Sequence, residues 1–190
     1  MSENVSVIGL GKLGAPMAAC FAKANKGIIG VDKNPAFVAK MGQGKAPVDE
    51  PQLQELLDKV SQHIQTTDNI NEAVLDTDIT FVIVPTPSDE NGAFSLNAAK
   101  TVFQQIGSAL KQKKTYHLVV MTSTVLPGAT EFGLLPILEK FSGKQFGSDF
   151  GLCYSPEFIA LGSVIQDYLN PDFVLIGEGD QKAGSILESF

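Results

Sequence analysis

The chain has 190 residues, 44% hydrophobic and 18% charged, enough for one domain with a substantial core. A formal net charge of −7 argues against a nucleic-acid footprint, and no run approaches the ~20 apolar residues of a membrane span. All 14 cationic side chains are lysine, so the planar fork with which arginine grips phosphate is missing. The N-terminus, "MSENVSVIGLG", shows neither the basic nor the long apolar region of a secretory leader. A cytoplasmic setting is therefore expected, with Cys20 and Cys153 as reduced thiols.

In chain order, short β-branched runs alternate with amphipathic stretches. "VSVIG" (5–9) reads as a strand, and 12–25 as a helix with Leu13, Met17, Cys20, Phe21 and Ala24 on one face. "GIIGVD" (27–32) is a second strand, followed by helices over 35–41 and 51–60. A weak strand over 63–67 leads to Asp68, read as the N-cap of a helix through Val74. "ITFVIV" (79–84) is almost wholly apolar, the pattern of a parallel strand covered on both faces. A polar loop tip, "SDENG" (88–92), precedes a helix over 95–110 with Leu96, Ala99, Phe103, Ile106 and Leu110 in register. "HLVVMT" (117–122) is a strand, and 128–141 is helical with a kink or restart at Pro136. "FGLCY" (150–154) is a strand, 158–168 a helix and "FVLIG" (173–177) a strand. A last helix starts at Asp180, with Ile186, Leu187 and Phe190 expected to be partly exposed. This alternation predicts an α/β fold of Rossmann type: a doubly wound, mainly parallel sheet with helices on both faces.

Ligands of such sheets bind beyond the carboxyl ends of the strands, so the residues just after each strand carry the information. After the first strand comes "GLGKLG", with Gly9, Gly11 and Gly14. Gly9 suits a tight turn, Gly11 the close approach of a pyrophosphate, and Gly14 close packing of helix on strand. Asp32 ends the second strand, 18 residues after Gly14, where a carboxylate accepts hydrogen bonds from ribose hydroxyls and repels a 2′-phosphate. Strand, glycine turn, helix, strand and acid together point to NAD as cofactor. After the fourth apolar run, Pro85 and Pro87 bracket Thr86; after "HLVVMT" come Ser123 and Thr124, suited either to capping a helix or to lining a cofactor. After "FGLCY" comes "SPEF". Glu157 there either starts a helix, favoured by the dipole, or is a carboxylate kept among Pro156, Phe158 and Ile159 to accept a proton or activate water. Neither cysteine has the setting of a nucleophile, and no cluster of metal ligands stands out.

The first turn, "IGLGKLGAPMA", resembles that of the β-hydroxyacid dehydrogenases. The later strand ends resemble the UDP-glucose/GDP-mannose 6-dehydrogenases, the nucleotide-sugar dehydrogenases. The matches are "APVDEPQLQELL" (46–57), "VPTP" (84–87), "STVLPG" (123–128) and "SPEFIALGSVIQDYLNPDFVLIG" (155–177), and they span the whole chain. This second resemblance implies NAD-dependent oxidation of the C6 alcohol of a UDP- or GDP-linked sugar to a carboxylate, in polysaccharide biosynthesis. It implies a homodimer or larger assembly, and residues 1–190 as the NAD-binding domain. The family's dimerisation and nucleotide-sugar-binding domains, with its nucleophilic cysteine and lysine, would lie outside this chain, which alone would be inactive. Carried over position by position, Gly9, Leu10, Gly11, Lys12, Leu13 and Gly14 would hold the pyrophosphate and Asp32 the adenosine ribose. Thr86, Pro87, Ser123 and Thr124 would line the cofactor. Thr124 and Glu157 would be the catalytic positions that place and activate water, and Glu157, Phe158 and Ile159 would lie along the substrate. Phe37 stands where many members carry a basic residue, and Leu161 where they carry an acid. A free-standing NAD-binding redox sensor is the competing reading from outside enzymology.

Overall fold

A computed structural model describes residues 4–24, 26–88 and 94–190. Most of the "SDENG" loop tip and the last residue of the expected first helix lie outside these. Seven strands form one sheet in the order β3-β2-β1-β4-β5-β6-β7. They are β1 (Val5–Ile8), β2 (Ile28–Val31), β3 (Ile64–Thr67), β4 (Ile79–Val82), β5 (His117–Met121), β6 (Phe150–Tyr154) and β7 (Gly177–Glu178). The first six are parallel; only β7 runs antiparallel, against the end of β6.

Adjacent residues on the central strands alternate between two cores. Val7, Phe81, Val120 and Cys153 face one, Ile8, Val82, Val119 and Leu152 the other. The first core is closed by α1 (Gly14–Lys23), α3 (Leu53–Val60), α7 (Val164–Leu169) and α8 (Gln181–Ser189); α2 (Pro35–Gly42) packs beside β3. The second is closed by α4 (Ile70–Asp76), α5 (Asn97–Leu110) and α6 (Leu135–Ser142). Covering both faces is why the strands read as continuous apolar runs. The expected stripe on α5 is buried at Ala99, Phe103, Ile106 and Leu110. Helix α1 departs from a one-face pattern: every residue from Gly14 to Cys20 is buried, because sheet, α3 and α7 surround it, while Ala24 at its end is exposed.

Other expectations change with long-range contacts. The cap of α4 is Asn69, not Asp68; its side chain accepts the amides of Asn71 and Glu72. Pro136 does mark a restart: a π-helical turn over Ala129–Leu134 gives way to α6, with the proline in its first turn, where no amide is needed. The helix expected over 158–168 shortens to α7. Buried Glu50 accepts the amides of Gly162 and Val164, capping the helix there and leaving 155–160 irregular. The strand expected over 173–177 shrinks to β7, since β6 ends at Tyr154 and offers residues 173–176 nothing to pair with. Asp180 caps α8 through the amide of Ala183. Of the residues expected to be partly exposed near the end, Ile186 and Phe190 are half-buried and Leu187 is buried; Phe190 packs its ring 5.0 Å from Phe21 and 5.5 Å from Phe81.

Candidate active site

Because the six long strands are parallel, the turns after β1, β2, β4, β5 and β6 all leave the same edge of the sheet. The turn after β1 is set by packing. Gly9 sits at φ +107°, a conformation that favours glycine, and a Cβ there would collide with the carbonyl of Ile83. A Cβ on Gly14 would overlap the carbonyl of Gly9 and come within 2.8 Å of the Ile83 side chain. Gly11 differs: a Cβ on it would meet nothing within 4 Å. The fold itself does not require that glycine, whereas a ligand lying against the backbone does. The N-cap position of α1, Leu13, offers no side-chain cap and its first turn holds no acid; the Ala15 amide donates to the Gly11 carbonyl and Pro16 has none, so the start of the helix offers an anion the dipole and the Gly14 amide. Leu10 is fully buried and anchors the turn, while Lys12 is exposed beside it.

Asp32 joins this turn to β2. Its Oδ2 accepts the Leu10 amide at 2.7 Å and its Oδ1 the Asn34 amide at 2.8 Å, which fixes the carboxylate and leaves each oxygen a further lone pair. Asn34, not Asp32, caps α2, through the amide of Ala36. Glycine turn, uncapped helix start and fixed carboxylate suit the pyrophosphate and ribose of a dinucleotide.

Beyond β4 and β5 the two hydroxyl segments are tied together. Thr86 donates to the Thr124 carbonyl at 2.7 Å, and Ser123, buried, donates to the Val84 carbonyl at 2.7 Å. Neither Ser123 nor Thr124 caps the helix that follows: Gly128 occupies the position before the π-helical turn, in left-handed conformation, and no side chain caps it. Thr124 and Pro87 are exposed. Next to them Thr122 is buried, and its hydroxyl has no partner.

Beyond β6, the Ser155 amide still bonds the Met121 carbonyl, and then the chain leaves the sheet. Glu157, Phe158 and Ile159 line a cleft of about 1260 Å³ with Phe21, Phe81 and Tyr168. Among the described residues no hydrogen bond or ion pair holds the Glu157 carboxyl, and its apolar surroundings push it up from 4.5 to about 7. Phe158 is 60% exposed and stacks 4.7 Å from the ring of Phe173, itself 57% exposed. Gly11, Ser123 and Thr124 do not line this cleft; the sequence-derived residues fall into three groups along one edge. The sequence reading missed Tyr168, whose hydroxyl is enclosed without a partner, and Ile83, the wall of the glycine turn. The one signal for Tyr168 was a phenol on an apolar helix face, which needs a partner when buried.

Burial pushes the thiol of Cys20 up to about 12 and that of Cys153 to about 11, so neither is a thiolate near neutrality. Among the described residues no group of three or more His, Cys, Asp or Glu could hold a metal ion, and no helix is long and apolar enough to cross a membrane.

The family model for the NAD binding domain of the UDP-glucose/GDP-mannose dehydrogenase family matches residues 3–190. A GDP-mannose 6-dehydrogenase of Azotobacter vinelandii is 42% identical over 188 residues, 98% of this chain and 43% of the relative. A UDP-glucose 6-dehydrogenase of Haloferax volcanii is 37% identical over 181 residues, 95% of this chain and 42% of the relative. The crystal structure of a ternary complex of GDP-mannose dehydrogenase from Pseudomonas aeruginosa superposes with a TM-score of 0.95 at 39% identity, covering 98% of this chain and 43% of that one. The chain thus spans less than half the length of these relatives.

Proposed function

Since this chain belongs to the UDP-glucose/GDP-mannose dehydrogenase family, as its NAD-binding domain, we propose that it supplies the cofactor half of an active site that oxidises a UDP- or GDP-linked sugar at C6. The overall change is CH2OH plus water to carboxylate, with two NAD reduced and three protons released. NAD, when bound, accepts the hydrides. The glycine turn and the start of α1 hold its pyrophosphate, Asp32 its ribose, and Thr86, Pro87, Ser123 and Thr124 its flank. Thr124 and Glu157 place and activate the water, and Phe158 and Ile159 lie along the sugar. The nucleophilic cysteine, the dimer contacts and the rest of the sugar site belong to polypeptide outside residues 1–190, and this chain alone gives no turnover. The enzyme works in the cytoplasm, as a homodimer or larger assembly.

The observation that carries this reading is Glu157. It is an acid just past the carboxyl end of β6, lining a cleft, held by no hydrogen bond or ion pair among the described residues, and burial pushes it up to about 7, which suits a proton acceptor. Two measurements test it. Calorimetry on this chain should give tighter binding of NAD than of NADP, and equal or reversed preference would overturn the role of Asp32. In the full-length enzyme, Glu157→Gln should slow turnover by on the order of 10²-fold with NAD affinity unchanged, and full turnover would remove Glu157 from the chemistry.

A further inference from the structure

Tyr168 lies on α7, its ring packed on the core that α1 and the sheet share, and its hydroxyl oxygen is enclosed without a hydrogen-bond partner. A buried donor is rarely left so, because desolvating it without a replacement partner is costly. Two titratable groups act on it electrostatically, Glu157 from the segment after β6 and Cys20 from α1, and Glu157 and Tyr168 line one cleft. Cys20 stays a neutral thiol and is a weak acceptor. Glu157 lines the same cleft, has no partner of its own, and once ionised presents two strong acceptor oxygens. Lys26, Asp167, Asp172, Glu178 and Glu188 also line the cleft wall, and the cause that raises Glu157 is its burial. Asp167 is engaged by the Ser163 hydroxyl at 2.7 Å.

We propose that Tyr168 is a positioning residue for Glu157: its hydroxyl donates to the ionised carboxyl and fixes which way the acid points in the cleft. This rests on reading Glu157 as the acid–base group of the site. A side chain on an irregular segment has several rotamers open to it, and an acid that must meet one proton cannot use most of them. The phenol sits on a helix whose first amide, that of Val164, is held by buried Glu50, whereas Glu157 sits on an irregular segment, so the phenol is the more rigid member of the pair. Donation to the charged form also limits how far the apolar cleft can raise the acid. Burial alone pushes Glu157 up to about 7, and donation from the phenol would return part of that shift.

The test is a carboxyl-carbon NMR titration of Glu157 in this chain and in its Tyr168→Phe variant, which keeps the ring and removes only the hydroxyl. The Glu157 midpoint should move upward by about 0.5–1 pH unit in the variant. A midpoint that stays in place, or moves down, overturns the proposal. In that case the hydroxyl is an orphan in the core, and its removal changes only the melting temperature. A kinetic arm separates this inference from the reading beneath it. In the full-length enzyme, Tyr168→Phe should shift the acid limb of the kcat profile in the same direction, and should add no loss in a Glu157→Gln background. If Glu157→Gln leaves turnover intact, the catalytic reading fails while the titration still decides whether the two residues are paired.

Discussion

The two edges of the sheet treat polar groups in opposite ways. At the amino edge, many polar atoms are buried and paired within the protein, the Tyr116 hydroxyl and Asp180 Oδ2 being exceptions. Lys113 donates to the carbonyls of Val74, Leu75 and Thr77 at 2.6–2.9 Å, closing the end of α4. His117 meets the Thr77 carbonyl through Nδ1 at 3.0 Å and the Thr80 hydroxyl through Nε2 at 2.8 Å, and Thr80 meets Ser6 at 2.7 Å. A carbonyl only accepts, so Nδ1 carries the proton and Nε2 accepts from Thr80. At the carboxyl edge, Gly11 faces open space, the start of α1 lacks a side-chain cap, and among the described residues Glu157 and the Thr122 hydroxyl have no partner. Buried polarity that is satisfied holds a fold together; polarity left unsatisfied at a cleft is available to a ligand.

Substitutions of similar size should therefore divide by edge and by role. The largest effect is expected at Gly14→Ala, whose methyl would overlap the Gly9 carbonyl. It should cost about 3 kcal/mol or more of stability and abolish NAD binding with it. Denaturant melts that leave Gly14→Ala as stable as the parent would show that the turn yields easily. Gly11→Ala is its counterpart. Its methyl enters space the protein does not use, so stability should stay within about 0.5 kcal/mol while NAD affinity falls by on the order of tenfold. An unchanged dissociation constant would mean the cofactor does not pass there. Lys113→Ala tests the opposite edge. Stripping three carbonyls of their donor should cost about 2–3 kcal/mol, with the affinity of the surviving folded protein for NAD unaltered. Any direct loss of NAD affinity would break the separation between the edges.

The same division decides what the sequence discloses. The NAD signature was legible because its residues form one short pattern: the left-handed Gly9, Gly14 against the Gly9 carbonyl, and Asp32 at the end of the next strand, although the wall that Gly9 and Gly14 press on, Ile83, lies far along the chain. The doubly wound sheet was legible for a related reason, since strands buried on both faces are apolar at every position. What could not be read depends on partners far along the chain. Glu50 reaches Gly162 and Val164, more than 100 residues on, and so decides that 155–160 is no helix and that Glu157 faces a cleft. Lys113 and His117 bond to Thr77 and Thr80, more than 30 residues earlier, which no neighbouring residue in the sequence shows. The shortened β7 follows from where β6 stops, which local propensity cannot show.

The last expected effect is a slope with pH, and it couples the two edges. Burial holds His117 down at about 3 against an ordinary 6.5. Between those values the unfolded chain takes up a proton that the fold refuses. Its contribution to stability is complete above 6.5 and is lost as pH falls toward 3. Glu157, pushed up to about 7 from 4.5, behaves in reverse: its contribution is complete below 4.5 and is lost as pH rises through 7. Each slope is at most about 1.4 kcal/mol per pH unit, and between 4.5 and 6.5 they oppose one another. From these two groups the protein should gain or lose almost nothing across that interval. Glu157→Gln removes one side of the balance. The variant's stability should rise with pH relative to the parent from 4.5 to 7, and the other carboxylates cancel in the difference. Denaturant melts of both proteins at half-unit steps measure it. A difference that stays constant over the interval would put the Glu157 carboxyl in ordinary solvent, and the case for a site in that cleft would lose its main support.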